Sequence, residues 1–306
     1  MTLTAWAVTT GEMGMRTQAR GVAEAVAGEV RELTVGRSWL PARARPGPPW
    51  PDIIVSCGRR SARWALAARK ASGGRILAVH VQDPRRDAAA FDLIVAMEHD
   101  DIRPGGNVIK VATALHDLTP ARLEAAALAW NDRLAPLGRP LIGVAVGGDL
   151  RGRAFTLADG TRLLAGLQRI KAETAGALAI TPSRRTPVAV IELFHRAFAG
   201  DPRVFLWDLK GDNPYRAILA SSDRLVVTSD SVSMVSEALA APHPVEVLDL
   251  GFARHVGFVQ DLVDRGLIRR FEGDASTPAT MGPVNATLEA AQAVKALIQA
   301  RTGVSG

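Results

Sequence analysis

The stretch Leu225 to Leu239 constrains the fold of this chain more than any other. Leu225-Val226-Val227 is a short apolar, β-branched run, the composition of a parallel strand covered on both faces. Thr228 to Ser233 then place four hydroxyls and one carboxylate in six residues. A helix beginning near Ser233 would be capped by Asp230, Ser231 or Ser233. The strict capping box is missing, because position 236 is Ser where Glu would be needed. Pro244-Val245-Glu246-Val247-Leu248 follows as a second buried strand. Strand, polar turn, helix, strand is the repeat of an open α/β sheet, whose ligands bind outside the carboxyl ends of its strands. The helix start adds N–H groups and a positive dipole end, which suit a phosphate. A well-capped helix with no ligand fits the same residues.

The pattern recurs along the chain. Residues 3–8 read as a strand ending at Thr9-Thr10-Gly11-Glu12-Met13-Gly14, and a helix follows from about Thr17 to Ala27. This turn is neither a dinucleotide fingerprint nor a P-loop, and it faces a substrate as readily as a phosphate. Residues 30–35 read as a strand, and Pro41 to Pro51 as a loop or lid. Asp52 to Cys57 is a buried strand ending at Gly58-Arg59-Arg60-Ser61, where two arginines can hold an anion or stay solvated. Arg75–Val81 and Phe91–Met97 are further strands, ending at Gln82-Asp83-Pro84-Arg85 and Glu98-His99-Asp100. A helix spans residues 120–134, and Ala135 to Pro140 breaks the pattern.

Leu141 to Val146 restarts the pattern and ends at Gly147-Gly148-Asp149, where a glycine pair lets a ligand approach the backbone. Ala177 to Thr181 ends at Pro182-Ser183-Arg184-Arg185-Thr186-Pro187, with Pro187 suited to the first turn of the next helix. Arg184 and Arg185 beside that helix start form the best phosphate clamp in the sequence. Val204–Trp207 is a strand, Arg216–Ser221 a short helix and Phe252–Arg265 another helix. Leu267-Ile268 is a short strand and Pro278–Asn285 a loop. Ala286–Arg301 is an amphipathic helix with Leu288, Ala291, Val294, Leu297 and Ile298 on one face. Tyr215 stacks on a base or packs in the core, and packing is the better expectation for an isolated aromatic. The expected domains are 1–138, 139–285, and a C-terminal helix and tail over 286–306 that returns to the first domain.

Composition excludes several classes. The 306 residues are 47% apolar, as in a globular chain, and suffice for two domains. No apolar run reaches the ~18 residues of a membrane span. The start, Met1 to Trp6, lacks the basic segment and cleavage site of a signal peptide, so a cytoplasmic protein is expected. The single cysteine, Cys57, excludes an internal disulfide and a cysteine zinc cluster. The net charge of +6 comes from scattered arginines without a zinc-finger or RNA-recognition pattern, so no nucleic-acid partner is expected. It leaves room for peripheral contact with the inner face of a membrane. The six histidines show no His-x-x-x-His pair, and no Asp-x-Asp, Gly-x-Ser-x-Gly or other metal or nucleophile signature is present.

Several segments together carry a family resemblance. They are Thr10-Gly11-Glu12 with Gln18, Ser56 to Arg60, Gln82 to Arg85, Glu98-His99-Asp100, Gly147-Gly148-Asp149, Thr181 to Pro187, Asp212-Asn213-Pro214-Tyr215, and Thr228 through Glu237. The chain resembles the bacterial family related to the plant mitochondrial-fission (elongated-mitochondria) protein, whose bacterial members are classed with GT-B glycosyltransferases. The Ser-Arg-Arg-Thr-Pro and Asp-Ser-Val-Ser-Met segments are the most specific. Many relatives carry an acidic residue and a histidine where this chain has Gly11 or Glu12 and Met15.

The resemblance implies two Rossmann-like α/β domains facing a cleft. It also implies a nucleotide-diphosphate sugar as substrate, with no metal and no other cofactor. The C-terminal half would bind this donor through Gly147, Gly148, Ser183, Arg184, Arg185, Asp230, Ser231, Ser233 and Met234, with Glu237 on ribose or sugar hydroxyls. The N-terminal half would bind an envelope or lipid-linked acceptor near Thr10, Gly11, Arg59 and Arg60. A general base would come from Glu12, Asp83, Glu98 or His99. A nucleotide-sugar epimerase and a non-catalytic scaffold of the same fold are the alternatives.

Overall fold

A computed structural model describes residues 2–36, 46–150, 152–251, 255–276 and 282–303. The part of the expected Pro41–Pro51 loop over 41–45, the expected helix start at 252–254 and residues 278–281 of the expected Pro278–Asn285 loop lie outside them. The chain forms two compact units, Met1–Asp117 with Asn285–Gly306, and Leu118–Val284.

The first unit contains Thr4–Thr9 (β1), Met13–Val26 (α1), Glu29–Thr34 (β2), Ile53–Cys57 (β3), Arg59–Ala71 (α2), Leu77–Val81 (β4), Leu93–Met97 (β5) and Val108–Val111 (β6). The strands pair in parallel in the order β2-β1-β3-β4-β5-β6. Every residue of β3, β4 and β5 is buried, as expected for strands with helices on both faces. Strand order reverses between β1 and β3, so the Thr10–Glu12 turn and the Gly58–Arg59 turn flank the crevice where such sheets take ligands.

The second unit opens with Pro120–Leu134 (α3), Leu141–Val146 (β7), Leu157–Thr174 (α4), Ala177–Pro182 (β8), Val188–Ala197 (α5) and Val204–Leu206 (β9). It continues with Tyr215–Ser221 (α6), Arg224–Thr228 (β10), Val232–Leu239 (α7), Val245–Leu248 (β11), Val256–Asp264 (α8) and Arg269–Arg270 (β12). Its strands are parallel in the order β12-β11-β10-β7-β8-β9, the doubly wound nucleotide-fold order read from one edge. The reversal lies between β7 and β10. One apolar cluster centred on Val144, Leu167, Ile180 and Phe194 covers one side of the sheet. Another, centred on Val227, Val235, Val247 and Phe258, covers the other.

The last helix, Ala286–Thr302 (α9), belongs to the first unit and packs on α1. The Thr287 hydroxyl donates to the His116 carbonyl at 2.8 Å and accepts from the His116 N–H at 2.9 Å. Its buried face is Ala286, Ala290, Ala291 and Val294, whereas Leu288 is exposed. Of the expected face, Ala291 and Val294 are buried and Leu297 and Ile298 half-buried, and the small residues Ala286 and Ala290 take the place of Leu288 where α9 packs on α1.

The division between units also falls elsewhere than expected. It lies after Asp117, not at 138, because α3 packs on α6 and contributes Leu123 to the core of the second unit. The Pro-rich break at 135–140 ends a helix inside that unit.

Glu246, inside the apolar run of β11, is fully buried. It is balanced by buried Arg224 of β10 and by Arg269 of β12, whose Nη2 lies 2.7 Å from Oε1. Burial pushes the Glu246 carboxyl up, and the guanidinium groups of Arg269 and Arg224 oppose that rise without cancelling it. Arg269, not the apolar pair before it, forms the last strand because it reaches Glu246 and Asp274 from the sheet edge. Removing one partner of such a cluster strands a buried charge, a loss of roughly 3–5 kcal/mol. Glu246→Ala should therefore lower the unfolding free energy of the second unit, read from urea denaturation, by that amount, and Arg224→Met with Glu246→Leu should recover most of it. A loss below about 1 kcal/mol for Glu246→Ala would contradict the assignment.

Candidate functional site

In the second unit, β7, β8 and β10 end level with one another. Val146 is paired with Pro182, and Val227 with Ala145. Three polar turns therefore meet at the reversal of strand order: Gly147–Asp149, Ser183–Thr186 and Thr228–Ser231. The Asp230 carboxylate, fully buried, joins them. It accepts from the Gly148 N–H at 2.9 Å, the Thr228 hydroxyl at 2.7 Å and Arg185 Nη2 at 3.0 Å. Thr228 in turn accepts from the Gly147 N–H at 2.8 Å. The Thr186 hydroxyl donates back to the β7 end, and Arg185 Nη1 donates to the Asp149 carbonyl at 2.8 Å.

This geometry gives several expected ligand contacts another task. A Cβ on Gly147 would lie 2.0 Å from the Asp230 carboxylate, and one on Gly148 would lie 2.0 Å from the Arg185 carbonyl. The glycine pair thus admits protein atoms in the direction where a ligand was expected. Asp230 is enclosed by three donors and acts as the tie between turns. Arg185 is a strut rather than half of a symmetric clamp, because both its terminal nitrogens are engaged. Arg184 is exposed and has no acidic partner among the described residues. It is the free cation of the pair.

Ser231 is the cap of α7: the Met234 N–H donates to its hydroxyl at 3.3 Å, and the helix begins at Val232 rather than Ser233. Ser233 and Met234 are half-buried in the first turn. His255, which sequence reasoning counted only as one of six histidines, lies at the same turn. Its Nδ1 is 3.0 Å from the Ser229 carbonyl. A carbonyl can only accept, so Nδ1 carries the hydrogen. One turn into α7, burial pushes the Glu237 carboxyl up, while a hydrogen bond from Tyr215 and the charge of Arg216 oppose the shift. Tyr215 packs against the core cluster of that face, as expected, and its hydroxyl oxygen lies 3.4 Å from the Met234 carbonyl.

In the first unit, Gly11 holds φ +98° in the turn after β1, and the Thr10 hydroxyl donates to Glu12 at the start of α1. Arg59 and Arg60 open α2 and are exposed. Asp83 serves its own loop: it accepts from the Arg85 N–H at 2.7 Å and pairs with the Arg85 side chain at 3.2 Å. Glu98 and His99 are exposed in the turn after β5. That turn is stitched by Lys110 of β6, whose Nζ donates to the Met97 carbonyl at 2.9 Å and the Asp100 carbonyl at 2.5 Å. The four base candidates do not share one point. β1 and β5 are three strand spacings apart, roughly 14 Å. Glu12 alone stands at the reversal of strand order. Its charge and that of Asp100 add to burial in pushing the Cys57 thiol up, which keeps it protonated. Burial also holds His80 and His116 down at about 3 and about 4, too low for acid–base work near neutrality.

Among the described residues, no group of three or more His, Cys, Asp or Glu side chains is placed to hold a metal ion. No described helix is long and apolar enough to cross a membrane.

Comparison with known proteins agrees with this architecture. The UDP-N-acetylglucosamine 2-epimerase of Neisseria meningitidis, solved bound to UDP-GlcNAc, superposes with TM-score 0.58 at 11% identity, over 97% of this chain and 100% of that one. The glycosyltransferase SnogD from Streptomyces nogalater superposes with TM-score 0.50 at 15% identity, over 96% of each chain. Both likenesses concern the fold, which is GT-B-like. In sequence, the chain is 30% identical over 277 residues to the mitochondrial fission protein ELM1 of Arabidopsis thaliana, a match covering 82% of this chain. It spans only 65% of the length of that relative. The model of the family described as mitochondrial fission ELM1 matches residues 13–298, and the chain belongs to that family.

Proposed function

We propose that the second unit binds the diphosphate of a nucleotide sugar, and that the protein is a glycosyltransferase working without a resident metal. One observation carries this reading. The Arg185–Asp230 contact at 3.0 Å fixes the Ser183–Thr186 turn against the start of α7, so that exposed Arg184 and the first N–H groups of α7 share one end of the sheet. In the transfer, the bond from the sugar anomeric carbon to the diphosphate oxygen breaks and negative charge gathers on the leaving group. Arg184 and the positive end of α7 are set to meet that charge. Glu237, whose carboxyl burial pushes up, is assigned to ribose or sugar hydroxyls. The acceptor, an envelope or lipid-linked hydroxyl compound, belongs to the first unit, where Glu12 beside Thr10 and Gly11 is the preferred base. The likeness to an epimerase solved with UDP-GlcNAc supports a nucleotide-sugar ligand, and the likeness to a glycosyltransferase supports the transfer.

The epimerase likeness favours a second reading on the same site, in which a bound nucleotide sugar is converted with no acceptor present. Product analysis with donor alone separates the two. A third reading, a scaffold that keeps the fold, draws on the name of the Arabidopsis relative. Normal cellular function after alanine replacement of Arg184 and Glu237 together would favour it.

Calorimetry with uridine and guanosine diphosphates tests the donor site. At least one should bind, and Arg184→Ala should weaken it roughly tenfold while leaving nucleoside binding nearly unchanged, the size of one charge-assisted contact. No heat with any nucleoside diphosphate would overturn the proposal.

A pH series tests the environment of Glu237. Its folded-state pKa is raised, so the native state binds more protons than the unfolded chain above the ordinary glutamate range, and stability falls as pH rises there. Glu237→Gln removes this titration. The variant should gain on the native protein from the ordinary glutamate range up to the raised pKa, measured by urea midpoints, and a difference independent of pH would contradict the assignment.

A further inference from the structure

A second concentration of positive charge lies wholly within the first unit. The first two turns of α2 and the loop after β4 line a cavity of about 320 Å³. Four arginines line it: Arg59, Arg63, Arg85 and Arg86. Asp87 is the one carboxylate among the lining residues. Arg59 and Arg63 stand at i and i+4 of the helix, where like charges repel and an acidic neighbour would normally be placed. None of Arg59, Arg63 and Arg86 has an acidic partner among the described residues. Arg85 is the exception, paired with Asp83 at 3.2 Å and Asp101 at 3.7 Å.

The loop is held in an uncommon shape. Gln82, Arg85 and Asp87 have φ of +78°, +68° and +55°. They are three of the five non-glycine residues in the left-handed region among those described, so the turn is a specified conformation rather than a slack connection. The Asp83 side chain and Pro84, which is buried, fix it from below. The floor of the cavity is apolar, from Ala62 and Leu66. Guanidinium groups stay charged at any physiological pH and match phosphate oxygens as forks. A cavity of this size is at the lower end of small-ligand sites.

We propose that this cavity binds the phosphate ester or diphosphate group of a second ligand, with Arg59, Arg63 and Arg86 as its direct contacts and Arg85 positioned beside them. The site does not depend on the donor reading, since it uses no residue of the second unit. The phosphate can belong to a soluble ester or to a lipid headgroup, and the two sources are separable.

The test is calorimetry with inorganic pyrophosphate on the full chain carrying Arg184→Ala, which removes the cation proposed to meet the diphosphate in the second unit. Pyrophosphate should bind this chain, and adding Arg63→Gln with Arg86→Gln should weaken it roughly tenfold or more, as expected for loss of charge-assisted contacts at an exposed site. Arg59→Gln, tested separately, should weaken it in the same direction. All three positions are exposed, and unchanged thermal midpoints would show that the fold is kept. Absence of pyrophosphate binding to the Arg184→Ala chain, or equal affinity after the paired substitution, would overturn the site. Competition by phosphatidylcholine vesicles containing phosphatidic acid, but not by plain phosphatidylcholine vesicles, assigns the phosphate to a headgroup. No competition assigns it to a soluble ester, and either result supports the site. The weakening of nucleoside diphosphate binding by Arg184→Ala is read separately, so the two proposals fail independently.

Discussion

The buried Asp230 carboxylate is the interaction on which the three polar turns at the second unit's sheet edge depend. A charge fully removed from water costs several kcal/mol unless it is met by donors. Here the Gly148 N–H, the Thr228 hydroxyl and the Arg185 guanidinium meet it, each from a different point of the sheet edge. The same atoms explain three features at once. Position 147 must be glycine because the carboxylate occupies the place of a side chain, position 148 because the Arg185 backbone does. Arg185 is spent on structure, which leaves Arg184 to face solvent. A cation placed by a rigid neighbour loses less freedom on binding than one that must be gathered from solution.

Strand order decides where that edge matters. In a parallel sheet every carboxyl end carries a turn, but only at a reversal do neighbouring connections part to opposite faces and leave a crevice. In the second unit the reversal falls between β7 and β10, whose turns Asp230 ties together. In the first it falls between β1 and β3, where Thr10, Gly11 and Glu12 stand. Polar turns away from a reversal serve other ends. The turn after β5 is closed by Lys110, and that after β4 is bent by three left-handed residues toward an arginine-lined cavity.

Much of this was legible in the residues. Continuous β-branched runs such as Ile53-Ile54-Val55 and Leu225-Val226-Val227 mark strands covered on both faces, and they form where expected. The polar turns after them are legible because clustered serines, glycines, prolines and carboxylates favour turns over strand interiors. Val108–Val111 was missed: four residues after a glycine pair carry too little periodicity, and with them went Lys110. The division after Asp117 was missed because a helix shows its apolar face but not which core receives it. Gly147 and Gly148 announced a close approach without saying whose atoms approach. The arginine cavity was half legible: Arg59 was visible at a strand end, but Arg63 and Arg86 join it only through the packing of α2 against a loop more than twenty positions on.

The central claim is that a diphosphate sits at the end of β8 and β10 on Arg184 and the first turn of α7, with Arg185 still tied to Asp230. A crystal structure of the protein with uridine diphosphate tests it most directly. The account predicts phosphate density within hydrogen-bond distance of the Arg184 guanidinium and of the N–H groups at the start of α7, and an unbroken Arg185–Asp230 contact. Nucleotide density away from that helix start, or a phosphate that displaces Asp230 from Arg185, would contradict it.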